Sequence, residues 1–328
     1  MTSISYKERR TNVSSSSKMQ ATRAQLWLTI SAYLLLNSSL NLCNRYTLGY
    51  AGFRFPVFLT CSHLTFQILS LSQLLGGNVR GHVQTYSKSW RSLSAVGIFL
   101  SCNIALNNAS LLHLSLPINQ VIRSTIPVIC AICAVFVEKK YPTPLQAVGL
   151  CLVVVGVMMT IVGTQGSADQ KTSNTTGVLF CCLATLSNAL MMTFSGYIMG
   201  NHKLSALEAT YFTSFAALGC LVPTGLFMER SAFSPFEGTD KEYANKLLLA
   251  SLVIFGCCNA VLYNWIHNKV IALTSATTTT VLGNVKIVAL VLLSRVMFGE
   301  TRGWTDSMIV GGLLAFTGFA LYSAKSLR

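Results

Sequence analysis

The chain consists of apolar stretches separated by short polar segments, a pattern that repeats from residue 24 almost to its end. Each stretch has the length of about 20 residues that an α-helix needs to cross the hydrocarbon core of a bilayer. The pattern therefore predicts an all-α integral membrane protein with ten transmembrane helices. The predicted spans are 24–43, 56–76, 92–112, 115–137, 145–163, 177–198, 206–228, 247–267, 272–297 and 304–325. Only His113 and Leu114 lie between the third and fourth spans, which predicts a tight turn there.

Composition excludes an ordinary soluble protein. Of the 328 residues, 52% are hydrophobic and only 10% are charged, against roughly 25% charged in a soluble domain. Residues 24–325 are predicted to form one membrane domain. Residues 1–23 are polar, basic and serine-rich without an apolar signal segment, so we expect a disordered cytosolic tail, with an organellar transit peptide as the alternative.

An internal repeat divides the membrane domain into two halves. The stretch from Leu114 to Glu138 and the Gly- and Val-rich helix after it are echoed by the stretch from Leu273 to Glu300 and the Gly-rich last helix. Each repeat, 24–163 and 177–325, contains five predicted spans. An odd number of spans places the two repeats in opposite orientations, as in secondary transporters with a central site between the repeats.

The distribution of Lys and Arg predicts the orientation in the membrane. With both termini on one side, fourteen of the 24 basic residues fall on that side and eight on the other. We therefore expect both termini to be cytosolic. The net charge of +14 is then mainly a topology signal, and no nucleic-acid partner is expected.

Two basic residues remain inside the membrane: Arg123 in the fourth span and Lys286 in the ninth, at corresponding places of the two repeats. A charge near the centre of a membrane helix costs roughly 2.5–3.5 kcal/mol, and no Asp or Glu lies in the middle of a predicted span. The pair therefore predicts an anion site, for which phosphate fits best because Arg binds it bidentately and Lys adds a point charge. The alternative is that both side chains snorkel or bind backbone carbonyls.

Polar residues at helical spacing around these cations predict the lining of a cavity. The candidates beside Arg123 are Asn119 and Gln120, and those beside Lys286 are Thr279, Gly283 and Asn284. Further polar stripes are Tyr33-Asn37-Asn41-Arg45, Asn103-Asn107 and Asn259-Tyr263-His267. Because intramembrane Asn also joins helices by hydrogen bonds, each residue has a structural alternative. Tyr263 is a candidate to stack on a base or bind a phosphate, or it is a packing aromatic.

The sequence offers no metal, cofactor or enzymatic constellation. All eleven cysteines fall in or beside apolar segments, where they behave as small hydrophobes, and Cys130-x-x-Cys133 has no clustered third ligand. An intramembrane enzyme would need paired acids or a nucleophile with its base at membrane depth. His63 and His267 have no carboxylate partner in the spans, so a transporter is favoured, with a scaffold protein as a further alternative.

Three segments carry a family resemblance: Asn44-Arg45-Tyr46 with residues 53–60, the run from Ser115 to Pro127, and Val281-Leu282-Gly283-Asn284-Val285-Lys286. The chain resembles the triose-phosphate translocator and nucleotide-sugar transporter family of the drug/metabolite transporter superfamily across all ten spans. The Val-Leu-Gly-Asn-Val-Lys run is the most specific part of the resemblance.

The resemblance implies roles for particular residues. Plastid triose-phosphate translocators hold phosphate with a Lys on the fourth helix and a Lys-Arg pair on the ninth, and Arg123, Lys286 and Ile287 take those places here. The missing second cation favours relatives that keep the Lys followed by a small or apolar residue, whose known members carry UDP-sugars in the Golgi. Tyr263 and Asn107 also match binding positions, although those translocators have Thr at the second position.

The resemblance further implies antiport of a nucleotide sugar, expected to be a UDP-sugar, against a nucleoside monophosphate by alternating access. It points to a Golgi or endoplasmic-reticulum membrane. The alternative is exchange of small phosphorylated metabolites for inorganic phosphate in a plastid-type inner membrane. Expected partners are these substrates and the lipid bilayer, and a homodimer is left open.

Overall fold

The protein is described by a computed structural model that covers residues 2–49, 51, 53, 55–76, 79–114, 116–163, 175–202, 204–230, 240–297 and 305–326. Some helical residues, including 2–22, 240–246 and 289–297, are described by their backbone alone. The helices are α1 (Thr2–Gly49), α2 (Pro56–Leu74), α3 (Val79–His113), α4 (Leu116–Arg123), α5 (Ile126–Val137), α6 (Pro144–Gly163), α7 (Thr175–Asn201), α8 (Ala206–Met228), α9 (Asp240–Leu273), α10 (Ala276–Met297) and α11 (Asp306–Ser326).

The helices confirm the prediction of an all-α membrane protein. Within the described ranges, nine helical segments are long and apolar enough to cross a bilayer. The helix at the ninth predicted span, α10, extends over 22 residues. Successive spans alternate in direction, so one face of the bundle holds the beginning of the first span and the end of α11, and we call it the termini face.

Several helices extend beyond the predicted spans. The first continues back to Thr2, through the segment that its polar composition predicted to be a disordered tail, and its apolar part is Arg23–Leu48. α3 and α9 begin before residues 92 and 247, where their spans were predicted to start. A helix can continue its backbone hydrogen bonds outside the membrane, so hydropathy locates the apolar part of a helix and not its ends.

The fourth predicted span is broken in its middle, which corrects the prediction of one continuous helix. α4 ends at Arg123 and α5 begins at Ile126. Pro127 lies in the first turn of α5, where its missing N–H is tolerated. The hydroxyl groups of Ser124 and Thr125 donate to carbonyls three residues earlier, at 2.7 Å each. The break places Arg123 at a helix end inside the membrane.

The last helices of the two predicted repeats pack against each other through glycines. A Cβ atom added to Gly156 on α6 would lie 2.5 Å from the carbonyl oxygen of Gly311 on α11. One added to Gly149 would lie 2.8 Å from the Gly318 carbonyl oxygen. Small residues let membrane helices approach this closely, and their packing replaces the hydrophobic driving force that water would supply.

An apolar cluster fills the space between helix ends near the termini face. Its buried members come from α5, α7, α8, α9 and α10, and they are Cys130, Ala189, Met192, Met199, Ala209, Ile271 and Ala276. The Glu138 carboxylate at the end of α5 lies beside this cluster, because a Cβ on Gly196 of α7 would be 2.8 Å from its Oε1 atom. The helix ends are therefore closely packed on this side.

A buried carboxylate joins two helices near the opposite face. Glu229 follows α8 and is only 8% exposed. Its Oε1 and Oε2 atoms accept hydrogen bonds from the backbone N–H groups of Val57, at 2.8 Å, and Phe58, at 3.0 Å. These N–H groups belong to the first turn of α2 and have no partner within that helix. Glu229 thus caps α2 from another helix.

Candidate functional site

A cavity of about 550 Å³ lies among the helices. Its walls come from both predicted repeats. The polar lining residues are Tyr33, Asn37, Asn41, Gln67, Asn103, Asn107, Gln120, Arg123, Asn188, Ser195, Thr210, Thr213, Ser214, Tyr263, Asn264, His267, Asn268, Thr280, Asn284 and Lys286. Within the described residues, the charged members of this lining are Arg123 and Lys286, and no carboxylate lines it.

The structure therefore brings the two predicted cations to one cavity. Arg123 reaches it from the end of α4, and Lys286 from the middle of α10. Asp and Glu are absent from the described lining, so no carboxylate of the cavity wall pairs with either cation there. A pair of unneutralised cations in a mostly uncharged cavity is an electrostatic site for an anion.

The Arg123 guanidinium is held by amides of α3. Its Nη1 atom donates to Asn103 Oδ1 at 3.0 Å and to Asn107 Oδ1 at 3.1 Å. These two bonds use both N–H groups of Nη1. An Arg side chain has five N–H donors in a planar fork, so the N–H groups of Nε and Nη2 remain for a ligand. An arginine edge formed by Nε and Nη2 is one that binds phosphate bidentately in proteins.

The Lys286 ammonium is held in a similar way by α1. Its Nζ atom donates to Asn37 Oδ1 at 2.8 Å. Asn41, one helical turn along, donates from Nδ2 to the same oxygen at 2.8 Å. Three donors are available on an ammonium group, so Lys286 retains donors for a ligand. Amide oxygens orient both cations without cancelling their charge, as a carboxylate would.

The other predicted site residues divide into two groups. Gln120, Tyr263, Asn107 and Asn284 line the cavity. Asn284 also donates from Nδ2 to the Ser124 carbonyl oxygen at 2.7 Å, and it thereby binds α10 to the break between α4 and α5.

Asn119 and Thr279 have other positions. Asn119 is 1% exposed and donates to Ser110 Oγ at 2.8 Å and to Asn107 Oδ1 at 3.2 Å, behind the residues that touch Arg123. Thr279 is fully buried, and its hydroxyl donates to the Ser275 carbonyl at 2.9 Å. Neither is among the described lining residues.

Three rings form a cluster at the cavity wall. The ring centroids of Tyr33 and Tyr263 lie 6.0 Å apart, and His267 lies 5.6 Å from the first and 5.5 Å from the second. The three ring planes are within 21° of parallel. The ring of Tyr263, a candidate to stack on a base, lines the cavity and packs against the rings of Tyr33 and His267.

Sequence reasoning did not assign the uncharged polar wall formed by α2, α8 and α9. Gln67, Thr210 and Ser214 are buried lining residues, and Asn264 and Asn268 follow them on α9. Asn264 and Asn268 are four residues apart, as are Thr210 and Ser214. Residues at this spacing lie on the same face of a helix. Such pairs are common in membrane helices, so spacing alone did not separate this wall from helix–helix contacts.

The family follows from a comparison with known proteins. A family model described as the Triose-phosphate Transporter family matches residues 24–323. The chain belongs to this family. The match begins with the first predicted span and extends into the tenth, and the family is one of transporters, which are not enzymes.

Curated relatives of this family member fall into two groups. A probable sugar phosphate/phosphate translocator of Arabidopsis thaliana is 26% identical over 91% of this chain and 94% of its own length. UDP-rhamnose/UDP-galactose transporter 2 of the same plant is 29% identical over 83% of this chain and 74% of its own. UDP-uronic acid transporter 1 is 28% identical, over 80% and 83%. The family member is therefore a solute transporter related to both groups.

A solved crystal structure has the same fold as this transporter. Its TM-score is 0.61, and the match covers 93% of this chain and 99% of the other. At 16% sequence identity, the likeness concerns the fold alone.

Proposed function

We propose that the protein exchanges a nucleotide sugar, a UDP-sugar by preference, for a nucleoside monophosphate across a membrane. The observation that carries the proposal is the meeting of Arg123 and Lys286 in one cavity whose described lining has no carboxylate. Each cation costs roughly 2.5–3.5 kcal/mol to hold at membrane depth without compensation. An anionic substrate provides that compensation.

Charge arithmetic supports exchange as the mode of transport. A nucleoside diphosphate sugar carries one negative charge on each of its two phosphates, and a nucleoside monophosphate carries about −1.5 to −2, as other phosphate monoesters do near neutral pH. Either ligand balances the two cations closely. Return of the empty carrier would move two uncompensated cations through a closed state, and this favours antiport over uniport.

The preference for a nucleotide sugar rests on two observations. The position after Lys286 is Ile287, an apolar lining residue, where the triose-phosphate translocators have a second cation. Relatives named as UDP-sugar transporters match most of the chain. The cavity volume of about 550 Å³ also lies within the range of about 300–1,000 Å³ for sites of drug-sized ligands.

The alternative function is exchange of a small phosphorylated metabolite for inorganic phosphate. Its support is the group of relatives named as probable sugar phosphate/phosphate translocators, which match the chain over a similar length. Arg123 and Lys286 serve either function, because both substrate classes carry phosphate. The two functions differ in what the rest of the cavity must bind.

Alternating access between two inverted repeats is the proposed mechanism. Three features support it: the cations contributed by corresponding spans, the close packing of α6 with α11, and the broken helix at Arg123. Discontinuous helices at a midplane site are characteristic of such transporters. The apolar cluster near the termini face joins the ends of α7, α9 and α10, and we propose that this cluster is the contact that opens and closes in the cycle.

The proposed location is a Golgi or endoplasmic-reticulum membrane with both termini cytosolic. The support is the excess of Lys and Arg on the termini face together with the UDP-sugar transporters among the relatives. A plastid-type inner membrane accompanies the alternative function. Fluorescence protection of tags at each terminus tests the orientation.

Uptake into proteoliposomes tests the function. Vesicles preloaded with UMP or GMP are exposed to a panel of labelled nucleotide sugars, and vesicles preloaded with inorganic phosphate are exposed to triose phosphate. We expect uptake of a UDP-sugar that requires internal nucleoside monophosphate and is lost in Arg123→Ala and Lys286→Ala. Lys88→Gln is the matched control, because Lys88 is exposed outside the cavity. Faster exchange of triose phosphate than of every nucleotide sugar would establish the alternative, and uptake unaffected by either Ala variant would support the scaffold hypothesis.

A further inference from the structure

The cavity wall beside the cation pair carries two amides of α9, Asn264 and Asn268. We propose that their carbonyl oxygens form an acceptor subsite, which binds hydroxyl or N–H groups on the part of the substrate remote from its phosphate. The inference rests on the proposed function, since it concerns the same cavity. It adds which residues bind the part of the substrate that carries no phosphate, and that they bind it as hydrogen-bond acceptors.

The orientation of Asn264 follows from a chain of hydrogen bonds that starts at a backbone carbonyl. The Thr210 carbonyl oxygen can only accept, so the Gln67 atom 3.3 Å from it is the donor Nε2. The same Nε2 donates to Ser214 Oγ at 2.5 Å. Gln67 Oε1 must then accept, and it receives Asn264 Nδ2 at 2.7 Å. The atom of Asn264 that remains for the cavity is its carbonyl oxygen Oδ1.

The orientation of Asn268 follows from a second, independent chain. The Thr210 hydroxyl lies 2.6 Å from the Ala206 carbonyl oxygen and donates its single hydrogen to a carbonyl. Its oxygen can therefore only accept from the amide of Asn268, which donates from Nδ2 at 2.8 Å. Asn268 Oδ1 is again the atom that remains for the cavity. Both amides thus use their donors on the wall and keep an acceptor for a ligand.

The two acceptors stand side by side. Asn264 and Asn268 are one turn apart on α9, so they share a helix face and differ in depth by about 6 Å. By the same helical rise, Lys286 lies about 15 Å from the beginning of α10, and Asn268 lies about 7.5 Å from the end of α9. Both of these helix ends are at the termini face. The acceptor subsite therefore extends from the depth of the cations toward that face.

The charges along the cavity wall indicate where each part of a substrate binds. Carbonyl oxygens carry partial negative charge and repel a phosphate, whereas Arg123 and Lys286 attract it. A substrate part with hydroxyl or N–H groups supplies hydrogen-bond donors to the two amide oxygens. A site built to bind such donors discriminates against analogues without them, because its acceptors would remain unpaired. Inorganic phosphate, which has no such part, is therefore expected to bind only at Arg123 and Lys286.

Competition binding to the purified full-length protein tests the subsite. The probes are inorganic phosphate, which has no tail, and glucose 6-phosphate and UDP-galactose, which have hydroxyl-rich tails. The variants are Asn264→Leu and Asn268→Leu, which keep the number and branching of heavy atoms and remove both the acceptor and the wall-bound donor. Asn259→Leu is the matched control, since it lies on the same helix and is absent from the described cavity lining. Asn→Ala variants replace any Leu variant that does not give a monodisperse protein.

We expect each Leu variant to weaken binding of the better tailed probe about three- to tenfold, which is the range for one neutral hydrogen bond. Binding of inorganic phosphate should change less than twofold. The control variant should leave the ratio of tailed probe to inorganic phosphate unchanged.

Three results would overturn the inference: tailed probes that bind no more tightly than inorganic phosphate, tailed-probe affinities that do not respond to the Leu variants, or equal weakening of all three probes. Failure of the proposed function has a different signature. In that case Arg123→Gln and Lys286→Gln would each bind every probe as tightly as the wild-type protein does. This outcome does not depend on the results for the Asn264 and Asn268 variants.

Discussion

The substitution Asn107→Asp examines whether Arg123 is the anion-binding group. Asn107 Oδ1 lies 3.1 Å from Arg123 Nη1, so an Asp at this position forms an ion pair with the guanidinium at nearly constant volume. A phosphate bound to the free edge of the guanidinium by charge-assisted bonds of about 2.8 Å would lie about 6 Å from the new carboxylate. At an effective dielectric constant of about 20, the repulsion between these two charges is about 2.8 kcal/mol.

That repulsion corresponds to about a hundredfold loss of affinity for inorganic phosphate, since about 1.4 kcal/mol is a factor of ten. The assay is equilibrium competition binding to purified protein, with the melting temperature as a measure of folding. We expect the melting temperature to be unchanged or raised, because the new carboxylate is paired. Asn201→Asp is the matched control, since Asn201 is exposed at the end of α7 and the change in net charge is the same.

The reasoning fails if Asn107→Asp binds inorganic phosphate within threefold of the wild-type protein. Arg123 would then not contact the anion, and its two hydrogen bonds to α3 would be purely structural. Equal losses in Asn107→Asp and Asn201→Asp would instead assign the effect to net charge, and this too would refute a local role of Arg123.

Three further predictions concern positioning and stability. Asn37→Ala should raise the KM for the transported anion about two- to tenfold with little change in kcat, because Lys286 loses the acceptor that orients it; proteoliposome uptake measures both constants, and an unchanged KM contradicts this role. Gly156→Leu should prevent a monodisperse preparation on size exclusion, since its side chain would overlap α11; a variant that melts at the wild-type temperature would show that α6 and α11 can separate. Glu229→Gln should destabilise the protein by about 1–3 kcal/mol, because a charged acceptor for two N–H groups in the first turn of α2 becomes neutral. Thermal unfolding in detergent measures this, and Glu208→Gln is the comparison, since the Glu208 carboxylate accepts two exposed hydrogen bonds from Ser205 at the start of α8.

The positions of the membrane segments could be predicted because hydropathy is a local property. Each of the nine described spans overlaps a predicted one, and α10 lies at the remaining position. The break in the fourth span escaped prediction although Pro127 was visible in the sequence. Proline at the first turn of a helix and proline inside a continuous helix look alike until the neighbouring hydroxyl groups and Asn284 are known to satisfy the freed carbonyls.

Sequence reasoning singled out both charged residues of the described cavity lining but only some of its neutral ones. Arg123 and Lys286 could be identified from the sequence because a charge inside the membrane is energetically costly whatever neighbours its helix packs against. Asn119 and Asn284 looked alike in sequence, yet only Asn284 lines the cavity. Which face of a helix meets a cavity depends on neighbours that come from distant parts of the chain.

The sequence by itself determined that the chain spans a membrane, which segments do so, and that two cations at matched positions lack an acid to neutralise them. These properties depend on local composition and on counting charges. The tertiary structure alone decided that the two cations share one cavity, that Asn37, Asn103 and Asn107 orient them, and that Asn264 and Asn268 line the same cavity with their Nδ2 atoms bonded to its wall. These properties depend on contacts between α1, α3, α4, α9 and α10, and such contacts arise only when packing fixes the rotation of each helix about its axis.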